Sequence, residues 1–99
     1  MPSVEVIIVK VIDDFFPVWV ECELTDSNGR VHVFREKLPI VDSDGRTVKE
    51  GLPQTGAIRC TVLEDKPDSV IIDTQLPDGV DFNTGTSRFS VSPHKLDRA

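Results

Sequence analysis

The chain has 99 residues, 38% hydrophobic and 28% charged, with 7 Pro and 6 Gly, which fits one globular domain and excludes a disordered acidic tail or a collagen-like repeat. A formal charge of −6 argues against a nucleic-acid binder, because phosphate contacts need concentrated Lys and Arg. No apolar run approaches the roughly 18 residues that cross a bilayer, and Met1-Pro2-Ser3-Val4-Glu5 lacks the basic start of a secretory signal, so a cytoplasmic protein without membrane contact is expected.

Alternation with period two recurs along the chain, and helical periodicity is nearly absent. Val4 to Ile12 is apolar on both parities except at Glu5 and Lys10, the pattern of a central strand covered on both faces. Asp13-Asp14-Phe15-Phe16-Pro17 marks a turn or bulge, since Pro17 has no N–H and disfavours helical geometry at Phe16. In the second strand Val20, Cys22 and Leu24 face one way, and Trp19, Glu21, Glu23 and Thr25 the other. Asp26-Ser27-Asn28-Gly29 supplies turn chemistry. The third strand sets Val31 and Val33 against His32 and Phe34, so a hairpin is predicted over residues 19–36 with Phe34 on the outward parity.

Leu38-Pro39-Ile40-Val41 reads as a short edge strand, limited by Pro39. Residues 42–56 form a turn-rich loop. Strand pattern resumes over 58–63, and a Pro-containing turn leads to Val70–Thr74, whose edge offers a route to a homodimer. A polar loop precedes the last strand, Arg88-Phe89-Ser90-Val91. Ser92 as N-cap with Pro93 at the first helical position predicts one C-terminal helical turn. About six strands without a crossover helix define a single all-β domain over 1–99, either a small antiparallel β-barrel or a barrel-like sandwich. The barrel is favoured because the first strand is long enough to bend and serve both halves.

No catalytic kit is legible, and an enzyme is not expected. Cys22 and His32 fall on opposite parities of paired strands, and His94 lies in the terminal turn, so no nucleophile and base are brought together. Asp42-Ser43-Asp44-Gly45 and Asp26-Ser27-Asn28-Gly29 place Gly at position 4, where a calcium loop needs it at 6. Two cysteines without neighbouring ligands make no zinc site, and Thr84-Gly85-Thr86-Ser87 enters no helix that would cradle phosphate. Neither metal nor cofactor is expected. Cys22 and Cys60 both sit on apolar parities, as reduced buried thiols or as a disulfide between strands.

The sharper signal is a binding surface. Phe15, Phe16 and Trp19 cluster beside Pro17, with Phe34 expected across the hairpin. Asp13, Asp14, Glu21, Glu23 and Asp26 surround them and would attract a basic protein. The competing readings are aromatics that cap the end of the fold and carboxylates that form a solvated face. A second use of the same aromatics is nucleic-acid stacking on a small barrel, with Arg30, Arg35 and Lys37 drawing the backbone.

Asp13-Asp14-Phe15-Phe16-Pro17-Val18-Trp19-Val20-Glu21-Cys22, Asp26-Ser27-Asn28-Gly29-Arg30 and Glu36-Lys37-Leu38-Pro39-Ile40-Val41 resemble segments of a group of small bacterial proteins without an assigned activity. The similarity runs on through Gly56-Ala57-Ile58-Arg59-Cys60 to Phe89. In size and acidity the chain is also similar, without a shared motif, to bacterial immunity proteins, which neutralise a toxin by binding it. The resemblance implies a free-standing bacterial β domain, and no functional residue is carried over from it.

Overall fold

The β-branched, alternating runs fold as strands in two antiparallel sheets in the computed structural model, which describes residues 1–42, 45, 47 and 50–98. The first sheet holds β1 (Ser3–Asp13), β2 (Trp19–Thr25), β3 (Val31–Lys37) and β4 (Gln54–Arg59) in the order β3-β2-β1-β4. The second holds β5 (Thr61–Asp65), β6 (Val70–Asp73) and β7 (Arg88–Val91) in the order β5-β6-β7. A two-residue strand, β8 (Leu96–Asp97), pairs with Ser3 and Val4 of β1. The domain is therefore all-β, and its two sheets face each other without closing into a barrel. The run over 58–63 is divided between them, because the chain leaves the first sheet at Cys60, whose N–H donates to the Pro2 carbonyl at 3.0 Å.

β1 is central, but only its inner face is covered: Val4, Val6 and Ile8 are buried and Ile7 is exposed. Register shifts against β2 fall between Ile8 and Lys10 and between Val11 and Asp13. The first bulge brings Val11 opposite buried Val20 on the inner parity, whereas Ile7, ahead of both bulges, is an apolar residue on the open face, so apolar residues appear on both parities without a second covering layer.

The β2–β3 hairpin forms where the turn predicts it, with the faces of β3 reversed. Cys22 pairs with Phe34 and Leu24 with His32, so both aromatic rings point inward, and Cys22 and His32 share a face. Phe34 is wholly buried. The five-residue loop sets this register: Asp26 N–H donates to the Arg30 carbonyl at 2.9 Å, which brings Thr25 opposite Val31. Phe34, Phe82 and Phe89 then stack in tilted pairs with centroids 4.7 and 4.5 Å apart, joining the sheets through the core. At the seams Asn83 N–H donates to the Val33 carbonyl at 2.9 Å and Ser27 N–H to the Ser90 carbonyl at 2.7 Å.

Leu38–Val41 is one helical turn, α1, instead of an edge strand. Proline's fixed φ and missing N–H suit a first helical turn as well as a sheet edge, and here the turn wins. The predicted C-terminal turn is a 3₁₀ helix over Pro93–Lys95, although the Ser92 side chain does not cap it. Val70–Thr74 has no free edge to offer a second chain, because β6 lies between β5 and β7. Cys22 and Cys60 are both buried and free, not joined.

Candidate functional site

Asp13 ends β1, and its carboxylate accepts the Phe15 N–H at 3.0 Å, a local turn that carries the chain away from the sheet. Phe15 and Phe16 follow with 79% and 95% of their surface in water, across a cis Phe16–Pro17 bond. Val18 returns the chain to the core, and its carbonyl accepts the Leu38 N–H at 2.8 Å. Val11 and Ile12, at the end of β1, are also exposed. The result is an apolar tip of four large exposed side chains, Val11, Ile12, Phe15 and Phe16, with Asp13 and Asp14 between them along the chain.

The other predicted site residues are placed differently. Trp19 lies opposite Asp13 at the base of the tip; it is half-buried, and Lys37 Nζ sits 6.0 Å from its ring centroid. Glu21 is held between Lys10 at 3.7 Å and Arg35 at 3.6 Å, so its charge is compensated on the outer sheet face. Glu23 faces the same way, between Ile7 and Val33. Phe34 is not part of any surface: buried in the aromatic core, it belongs to stability, and its truncation to Ala would cost about 3–5 kcal/mol. Thus Phe15 and Phe16 come together, Trp19 adjoins them, and Phe34 is removed. Val11 and Ile12 were hidden from sequence reasoning by the assumption that β1 is covered on both faces. The abrupt change from Val11-Ile12 to Asp13-Asp14 is the one local sign that the sheet stops there.

Asp26, grouped in sequence with the acidic surround, serves the hairpin turn. Its carboxylate accepts from Asn28 N–H at 2.9 Å, Arg30 N–H at 3.0 Å and His32 Nε2 at 2.8 Å. Burial pushes its pKa up, but the His32 and backbone hydrogen bonds outweigh that and hold it below the ordinary 3.8. The cations proposed to draw a nucleic-acid backbone are partly engaged as well, Arg35 by Glu21 and Lys37 by Trp19.

Burial pushes the Cys22 thiol up to about 12, with Glu36 and Glu21 adding to it, and the Cys60 thiol up to about 11. Thiols held neutral in this way are poor nucleophiles. Among the described residues no three His, Cys, Asp or Glu side chains are grouped to hold a metal ion, and no helix is long and apolar enough to cross a membrane. Ser43 and Asp44 of the 42–45 turn lie outside the described residues; the Asp42 carboxylate accepts the Thr47 N–H at 2.7 Å. The Thr84–Ser87 segment closes a turn, with Gly85 N–H on the Phe82 carbonyl at 2.8 Å. Two clefts flank the start of β1, of about 290 and 460 Å³. The first mixes Glu5, Asp42 and Asp97 with His94 and Lys95, and in the second Arg59 is bonded to Asp78.

Comparison with protein-family profiles, with curated proteins and with solved structures gave no significant match.

Proposed function

We infer that this chain is a non-catalytic binding domain that engages another protein through the tip between β1 and β2. The observation that carries this reading is the exposure of Phe15 and Phe16, two of the chain's five phenylalanines, beside Val11 and Ile12. Moving such a side chain from water to a partner's apolar surface returns roughly 1.5–3 kcal/mol each. Aromatic anchors of this kind carry a large share of interface energy. Asp13 and Asp14, within a chain of net charge −6, favour a basic partner and would speed its approach. An immunity or inhibitor protein set against a basic toxin is the concrete form this takes, and a cytoplasmic setting suits it.

The test is capture from source lysate at near-physiological salt, with a Phe15→Ala, Phe16→Ala variant as control. Both residues are exposed, so the variant should melt within about 0.5 kcal/mol of wild type. A protein held by wild type and released at least about tenfold more readily by the variant supports the reading. Equal retention by both proteins overturns it. Capture abolished by nuclease replaces it with nucleic-acid stacking, in which Arg30, Arg35 and Lys37 supply the charge.

A further inference from the structure

β1 is served unequally along its two edges. On one edge β8 takes Ser3 and Val4, and β2 takes Ile7 to Asp13. On the other, β4 pairs only from Ser3 to Ile8, ending at Gln54 because Pro53 next to it has no N–H to give the ladder. Beyond Ile8, no strand among the described residues pairs with this edge, over Val9 to Asp13. Such an edge is a template for another strand. The outer edge of β4 also pairs with no strand among the described residues, but it offers no Lys–Asp pairing; three other outer edges have neighbours. β3 meets Phe82 and Asn83, β7 meets Ser27, and Asp65 on β5 is clamped by both terminal nitrogens of Arg98 at 2.6 and 3.0 Å.

We propose that this edge pairs with the same edge of a second copy, giving a two-fold antiparallel dimer in which Lys10 faces the second copy's Asp13 and Val11 faces its Ile12. Several registers are open to so short a segment. Centring the axis on Val11 sets Lys10 against Ile12 and Asp13 against Val9, which pairs charge with apolar side chains. Centring it between Val11 and Ile12 gives two Lys–Asp pairs and two Val–Ile pairs. Cross-strand pairs of these kinds are the stabilising ones. The segment also fits in length: four residues span about 13 Å, and the turn set by the Asp13 carboxylate carries the chain off before it would collide with the second copy's Gln54. Lys10 and Asp13 lie on the same outer face of β1, opposite Glu21 and Trp19, as this pairing requires. The pairing shares Val11, Ile12 and Asp13 with the tip but uses neither Phe15 nor Phe16, so variants at the phenylalanines and variants at Lys10 and Asp13 tell the failure of one reading from that of the other.

Charge exchange tests it. In sedimentation equilibrium on the full chain at low salt, wild type should be dimeric at high concentration. Lys10→Asp opposes two acid pairs across the axis, and Asp13→Lys opposes two lysine pairs. Each variant alone should dimerise at least about tenfold more weakly. Mixed one to one, they restore both Lys–Asp contacts, and a heterodimer close to wild-type affinity should appear. Circular dichroism confirms that both variants fold. A wild type monomeric throughout, or a mixture no tighter than either variant, overturns the proposal. So does a dimer indifferent to both charges but dissolved by Phe16→Ala, which would make the tip the self-association site.

Discussion

Asp26 shows how one carboxylate can govern the register of a hairpin. It binds two backbone N–H groups of its own loop and the ring of His32, and that register turns Phe34 into the core. Its pKa is depressed in the folded state, so the unfolded chain takes up the proton first as pH falls. The stability it contributes is complete above the ordinary value of 3.8 and is lost as pH drops through and below it. Urea titrations from pH 6 down to pH 3 should therefore show a steeper loss for wild type than for Asp26→Asn. The variant itself should be about 1–3 kcal/mol less stable at neutral pH. Parallel curves would show that the Asp26 charge does not matter to the fold. Asp73 acts in the same direction, held low by the Gln75 N–H, Ser87 and Arg88, so the variant should flatten the curve only in part.

Among the elements, β4 and α1 meet more closely than any side chain would allow. A Cβ at Gly56 would stand 2.5 Å from the Val41 carbonyl oxygen and 3.0 Å from Ile8 Cδ1. Gly56→Ala should therefore push α1 off the sheet and cost about 1–3 kcal/mol in chemical denaturation. An unchanged midpoint would mean that α1 yields freely. The same elements mark how far sequence reasoning reaches. The β2–β3 turn and the Pro93 turn were legible because Asn-Gly and Ser-Pro chemistry is local. The faces of β3 were not, since Val31, Val33, His32 and Phe34 alternate equally well in either register, and only the loop's hydrogen bonds choose between them. Leu38–Val41 was misread because Pro39 is compatible with two structures. At the candidate site Phe15 and Phe16 were legible from their neighbours Asp14 and Pro17. The part played by Val11 and Ile12 was not, because it depends on where β4 ends.

At the scale of the whole molecule, two sheets share one core, and both thiols lie inside it: Cys22 in the first sheet, Cys60 at the crossing to the second. Both are fully buried, and both are held protonated at neutral pH. Alkylation should therefore proceed only as fast as the domain opens, at least about a thousandfold slower than in denaturant and at a common rate for the two. Rapid labelling of Cys60 alone would show that the sheets separate at the crossing while the first sheet stays intact. The molecule measures 40 × 26 × 24 Å, and β1, at about 36 Å, is the longest strand among the described residues. β1 is made before the other strands of this fold, yet its opening residues Ser3 and Val4 bind Leu96 and Asp97. On the ribosome, β2 can cover Ile7 to Asp13 early, but the Ser3–Val4 end stays unpaired on that edge until residues 96–97 have emerged. That end of β1, which carries the core residues Val4 and Val6, is accordingly where a nascent chain would be gripped by chaperones, and where premature release would begin aggregation.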